Sequence, residues 1–305
     1  MRRTFGAAAV LVSAMFAISA CGGGSDPLAS APATPTTAGT AAGGGKAIVG
    51  SFNFPESVLL GSIYAQALEA KGVTVEEKPN IGSREVVYDQ VKSGGLTVLP
   101  EYNGNLLAFV DPETKATTTE EINAELKTKL PAEVEIFDSS PAEDKDTLSV
   151  TQESATKNSL TTMEDLAKVS KTMSVGGYPE FKKRWEKTFK DVYGLEFKEW
   201  KATGDTTPNA VKDGTVQVGN VFTTDPKITT YGLVPLQDPK QVFPAQNVTP
   251  LVNKAGSNDT IKTTLNAVSA KLTTDTLKQM MQKISVDKDD PAVVAKEWLT
   301  TNGLG

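Results

Sequence analysis

From Lys46 to Gly305, short β-branched runs alternate with segments of helical period, a pattern that a layered α/β architecture buries. Residues 47–50 (Ala-Ile-Val-Gly) read as a buried strand. Residues 56–70 follow as a helix carrying Val58, Leu59, Ile63, Ala67 and Leu68, with Gly72 as its stop. A second strand at 73–75, a helix at 83–92 and a strand at 96–99 complete a βαβαβ opening. Strands resume near 147–151, 172–175, 195–198, 215–218 and 247–252, with helices at 162–167, 179–193, 206–212 and 226–230. Thr118 with Glu121, and Thr161 with Glu164, fit the Ser/Thr-x-x-Glu box that satisfies orphan N–H groups at a helix start. Residues 259–299 are helical throughout. The pattern predicts two α/β lobes with mostly parallel sheets: lobe one over 46–147, lobe two over 148–247, and a helical return to lobe one over 248–305. The hinge is expected at two crossings, near 148–152 and 245–250.

The N-terminus obeys other rules. Arg2 and Arg3 precede an apolar run over 6–20, about 15 residues where a permanent bilayer-spanning helix needs roughly 20. Residues 1–20 therefore read as a secretory signal peptide, and Ile18-Ser19-Ala20-Cys21 resembles a bacterial lipobox. On that reading the mature chain starts at a lipidated Cys21; an ordinary thiol is the competing reading. Cys21 is the single cysteine, so the body must fold without cystines. Residues 21–45 are rich in Gly, Ser, Pro, Thr and Ala and are expected to be a flexible tether, holding the body at the outer face of the cytoplasmic membrane.

Formal net charge is −6, from 31 basic and 37 acidic residues, and no basic block stands out beyond the signal peptide, which argues against a nucleic-acid partner. The chain has no histidine. Ser-His-Asp and Cys-His catalysis, histidine-ligated zinc and the usual acid–base group at neutral pH are thereby removed. Without a G-x-S-x-G motif, a metal cluster or a convincing carboxylate pair, no catalytic residue, metal or cofactor is expected, and a surface hydrolase or transferase is disfavoured.

Several motifs carry a resemblance. Residues 48–56 (IVGSFNFPE), 80–83 (NIGS) and 99–105 (LPEYNGN) resemble the patterns G-S-K-N-F-x-E, L-G-(S/T) and P-E-Y-x-G-T of the substrate-binding proteins of osmoprotectant ABC importers, the glycine betaine/choline/carnitine type. The second half agrees in the same order: 176–181 (GGYPEF) with Arg184, Tyr193-Gly194, 222–225 (FTTD) with Ile228, and Phe243-Pro244. The resemblance covers nearly all of 46–305. It implies a two-lobe, type II periplasmic-binding-protein-like fold that closes on a small molecule and delivers it to an ABC permease and its ATPase, with a monomer as the default state.

A quaternary ammonium has no N–H to donate, so it is held by the faces of aromatic rings, each contact contributing about 0.5–2 kcal/mol. A carboxylate at the other end of such a ligand wants an amide, a hydroxyl or a cation. Tyr102, after the strand at 96–99 and matching the P-E-Y tyrosine, is the leading candidate ring, against a plain packing role. Phe222 matches a family aromatic position. Tyr178 lies at the mouth of lobe two with Phe181 one turn on, and either ring, or neither, lines the pocket. Phe52 and Asn53 stand in the first β–α turn with Phe54 and Glu56, the last read as structural in the first helical turn. Ser83, Thr223 and Thr224 stand at helix starts where a hydroxyl and free N–H groups hold a carboxylate or merely cap the helix. Arg184 is favoured over Arg84 as a ligand cation by the family pattern, against the ordinary fate of an ion pair.

Three departures bear on the ligand. Phe52 replaces the family's lysine, Pro55 replaces a polar residue, and Phe222 lacks a hydroxyl. They keep open a larger or aromatic ligand, and with it a sensor or receptor lipoprotein. Tyr64, Tyr88, Tyr193, Trp185 and Trp200 are assigned to packing; Glu101 to an exposed turn, against a role as negative potential for a cation; Glu143, Asp144 and Asp146 to a solvated face.

Overall fold

The structure, a computed structural model, describes residues 45–305. The signal peptide, Cys21 and all but the last residue of the expected tether lie outside the described residues. In chain order the strands are β1 (Lys46–Phe52), β2 (Thr74–Gly82), β3 (Val98–Tyr102), β4 (Val134–Ile136), β5 (Asp146–Thr151), β6 (Ser174–Gly177), β7 (Glu199–Ala202), β8 (Val218–Phe222), β9 (Leu233–Pro235) and β10 (Val248–Asn253). They form two sheets, ordered β2-β1-β3-β10-β4 and β7-β6-β8-β5-β9.

Each sheet runs four strands one way and one the other. In the first, β1 pairs parallel with β2 and β3, and β10 lies antiparallel between β3 and β4. In the second, β6 pairs parallel with β7 and β8, and β5 lies antiparallel between β8 and β9. The reversed strands, β5 and β10, are the ones that follow a crossing between sheets. The crossings occupy residues 137–145 and 236–247. Hence 148–152, expected at the hinge, is instead strand β5 and the first residue of the helix Gln152–Asn158. The two crossings bond to each other, the Asp144 N–H donating to the Gln246 carbonyl at 3.1 Å, and Val248, the first residue of β10, donates its N–H to the Ala142 carbonyl at 2.9 Å.

Helix Pro55–Glu69 buries Leu59, Leu60, Ile63, Ala67 and Leu68 in the core of the first lobe. The C-terminal helices Asp259–Lys271, Thr274–Gln282 and Pro291–Thr301 bury Leu265, Leu277, Trp298 and Leu299 in the same core, so the return to lobe one is an apolar docking. The second lobe has its own core, in which Phe181, Phe189 and Phe243 meet Trp185 and Trp200.

Several local expectations shift: the strand expected at 215–218 is β8 (Val218–Phe222), and the one expected at 172–175 is β6 (Ser174–Gly177). The box expected at Thr161 and Glu164 forms one residue later: the Thr162 hydroxyl accepts from the Asp165 N–H and the Asp165 carboxylate accepts from the Thr162 N–H, because aspartate closes the ring as well as glutamate. The strand expected at 195–198 begins at Glu199. Leu195 is consumed by the end of helix Pro179–Tyr193: Gly194 turns left-handed at φ 71° and the Leu195 N–H donates to the Phe189 carbonyl, burying Leu195 as an apolar plug.

Candidate functional site

A cavity of about 360 Å³ opens where the lobes meet, bounded by Asn105 and Gln246 on one side and by Asp144, Asp146, Tyr178, Glu180, Phe181, Arg184, Asn220 and Phe222 on the other. A neighbouring cavity of about 350 Å³ shares Asn105, Asp146, Arg184 and Gln246 with it. The lining collects at the carboxyl ends of β3, β6 and β8, where open α/β sheets hold ligands.

Each wall follows from local chemistry. Tyr178 caps helix Pro179–Tyr193, so Glu180, Phe181 and Arg184 follow on its first two turns and face the same side. The Tyr178 ring is 39% exposed and its hydroxyl donates to Asp205; Phe181 is buried in the aromatic core of lobe two and borders the cavity from below. Phe222 ends β8 opposite Asp146 in the register, and Asn220 Nδ2 donates to Asp146 Oδ1 at 2.7 Å. Burial pushes the Asp146 carboxyl up; the Asn220 bond and the Arg184 charge draw it back. On the lobe-one side the Asn105 N–H donates to Gln246 Oε1 at 2.9 Å. Gly104 permits that approach: a Cβ there would stand 2.2 Å from the Ala245 carbonyl oxygen.

Of the candidate residues, Tyr178, Phe222 and Arg184 come together on this cavity. Phe52, Asn53, Ser83, Tyr102, Thr223 and Thr224 do not line it. Phe52 is 3% exposed in the lobe-one core, with the Arg84 guanidinium 5.3 Å from its ring centre. Asn53 is exposed beside it. The Ser83 hydroxyl turns to Glu85 rather than to the helix N–H groups behind it. Thr223 ties the crossing, donating to the Glu143 carbonyl at 2.7 Å and accepting from the Lys145 N–H at 3.0 Å.

Tyr102 is 4% exposed, stacked 6.2 Å from Phe54, which stacks in turn 5.6 Å from Phe52. Its hydroxyl donates to Glu56 Oε1 at 2.6 Å. Thr224, from lobe two, donates its hydroxyl to Asp144 Oδ1 at 2.7 Å. Burial first and the Asp144 charge second push Glu56 up to about 8; burial pushes Asp144 up to about 6. Two hydrogen-bonded pairs therefore stand here, Tyr102 with Glu56 in the lobe-one core and Thr224 with Asp144 at the cavity.

Two assignments are corrected by packing. Glu101 is wholly buried: its carboxylate takes a two-pronged bond from Arg84, at 2.9 and 3.1 Å, and a third from the Tyr102 N–H. The group at 143–146 is no solvated face, since Glu143 and Asp144 lie in the first crossing, Asp146 opens β5, and Asp144 and Asp146 line the cavity. A sequence signal existed for part of this. Asn220 is the one polar side chain inside the apolar run Val218–Phe222, and a buried amide needs a partner such as Asp146.

Residues 46–301 match the profile of the substrate binding domain of ABC-type glycine betaine transport systems. The chain belongs to this family. The glycine betaine-binding protein YehZ of Escherichia coli K12 is 30% identical over 274 residues, covering 84% of this chain and 90% of that one. Among solved structures, a glycine betaine/carnitine/choline ABC transporter protein superposes with a TM-score of 0.78 at 23% identity, over 85% of this chain and 98% of the other. Apo YehZ from E. coli superposes with a TM-score of 0.73 at 28% identity, over 85% and 99%. The two-lobe arrangement is therefore the periplasmic-binding-protein-like fold of this substrate-binding family, whose members are binding proteins of ABC importers.

Proposed function

We propose that the interlobe cavity captures a small quaternary amine of the glycine betaine, choline and carnitine class and that the protein hands it to an ABC permease at the outer face of the cytoplasmic membrane, as a monomer anchored through Cys21. The observation that carries this is the pairing of exposed ring surface with acid at one place: Tyr178 and Phe222 stand around Asp144 and Asp146. Rings and carboxylates together suit a cation that has no proton to donate. Arg184 and the amides of Asn105, Asn220 and Gln246 are available for a hydroxyl or carboxylate at the other end. Contacts from both lobes favour the closed form. Tyr102 enters this reading as the buried hydrogen-bond partner of Glu56, and Thr224 as the partner of Asp144.

Phe52, which suggested a larger or aromatic ligand, is buried away from this cavity, so the small-amine reading is preferred. Calorimetric titration of the full chain with choline, glycine betaine, carnitine and proline betaine tests it. Binding of at least one, lost in Tyr178→Ala/Phe222→Ala, is expected. Binding unchanged by that double substitution moves the site elsewhere, and binding of aromatic compounds alone overturns the ligand class.

A further inference from the structure

We propose that Asp205 is a positioning residue for ligand binding: its carboxylate, by accepting the Tyr178 hydroxyl, holds that ring at the edge of the interlobe cavity and makes its face a better seat for a cation. The inference rests on the quaternary-amine reading above and deepens it.

Tyr178 is a ring with room to move. It is 39% exposed, it lines the interlobe cavity of about 360 Å³, and it also lines a second cavity of about 220 Å³ with Gly177, Pro179, Phe181 and Trp200. Among the described residues no other ring stacks on it. The backbone therefore fixes where the side chain starts and leaves its direction open. The hydroxyl at its tip is held, and Asp205 Oδ1 is what holds it.

Asp205 is presented by a turn with bonds of its own. It sits in the short 3₁₀ turn Gly204–Thr206, after β7. The Thr206 N–H and hydroxyl both donate to the Thr203 carbonyl, at 3.0 and 2.6 Å, and the Thr207 hydroxyl donates to the Gly204 carbonyl at 2.6 Å. The Thr203 N–H donates to the Gly177 carbonyl at 2.9 Å, which ties the turn to the residue before Tyr178. Gly176 allows that closeness, since a Cβ there would stand 2.7 Å from Thr203 Oγ1. Ring and carboxylate thus hang from one hydrogen-bonded corner at the ends of β6 and β7. The Lys227 ammonium bonds the Asp205 carbonyl, at 3.5 Å, and leaves the carboxylate to the tyrosine.

The bond acts on the ligand in two ways. It restricts the ring before the ligand arrives, so less side-chain freedom is lost on binding. It also draws the O–H dipole toward an anion, which leaves the ring richer in electrons and its face more attractive to a cation. Burial first and the Asp205 bond second push the Tyr178 hydroxyl up to about 12, so it keeps the proton it donates at neutral pH. Phe222, on the same cavity, has no hydroxyl to be held in this way.

A double-mutant cycle tests this, with choline titrated calorimetrically into the full chain at neutral pH and urea denaturation showing that each variant is folded. Asp205→Ala and Tyr178→Phe are each expected to weaken choline about fivefold, and Asp205→Asn, which keeps an acceptor of the same shape without the charge, about twofold. Adding Asp205→Ala to Tyr178→Phe is expected to cost nothing further, an outcome that a merely structural Asp205 would not give. Unchanged affinity in Asp205→Ala overturns the inference. A further fivefold loss in the double variant also overturns it, because Asp205 would then act without the ring. The quaternary-amine reading survives both of these results, whereas no binding of any quaternary amine by the unaltered chain overturns that reading and the inference together.

Discussion

Phe54 in lobe one and Phe222 in lobe two are each 37% exposed, yet they are different kinds of surface. Phe54 is the middle of a stack, with Phe52 at 5.6 Å and Tyr102 at 6.2 Å. Among the described residues no ring stacks on Phe222, which borders a cavity lined with acids. Equal exposure therefore hides unequal availability. The lobe-one rings have their faces covered and their polar neighbours partnered, Arg84 with Glu101 and the Tyr102 hydroxyl with Glu56. The lobe-two rings leave a face open. A ring serves a ligand only if the protein has not already used it.

If that difference holds, the lobe-one cluster answers to substitution through stability. Arg84→Ala leaves Glu101 charged and buried with no cation, and the expected loss is about 3 kcal/mol, read from urea denaturation at neutral pH. A loss below about 1 kcal/mol would mean that water reaches Glu101, and that the cluster is looser than its contacts imply.

The two raised carboxyls supply a second handle. Glu56 sits above its unfolded value near 4.5, so the folded state holds the proton more tightly than the unfolded chain does. That contribution is fully present below about pH 4.5 and is lost as the pH rises to about 8. Asp144 adds the same sign between about 4 and about 6. The ligand-free protein is expected to lose unfolding free energy across this window, relative to Glu56→Gln, at up to about 1.4 kcal/mol per pH unit. Denaturation of both proteins at pH 5 and pH 8 checks it; parallel pH profiles would remove Glu56 from the account.

The rings themselves give smaller effects that should separate cleanly. Phe54→Ala is expected to cost about 1 kcal/mol of stability through the lost stack. Phe222→Ala is expected to weaken ligand binding about fivefold, with little change in stability. Reversed outcomes would place the ligand against the lobe-one stack. Ser83→Ala should leave affinity unchanged, since its hydroxyl is turned to Glu85.

Much of the fold was legible because it is local. Helix Pro179–Tyr193 is bounded as its pattern and its Pro and Gly signals require, and the Thr118–Glu121 box forms as its spacing demands. Motif order was enough to point to the family, which the profile match over 46–301 establishes. The strand at 199–202 escaped because its apolar signal belongs to residues that finish the preceding helix.

The site was legible only in part. Tyr178, Phe222 and Arg184 were marked by motif and lie on one cavity, whereas Asp144 and Asp146 looked like ordinary surface charge. Charge in a sequence has no address. A glutamate or aspartate is the same letter whether water or a buried partner lies beside it, and the partner comes from a residue far along the chain. Period, capping and composition act over a few residues, so the sequence by itself determined the elements, the two-lobe class and the absence of histidine chemistry. Which rings are covered, which acids are matched and how Glu56 meets Tyr102 and Asp144 meets Thr224 depend on contacts across 46 and more residues, and those only the tertiary structure decided.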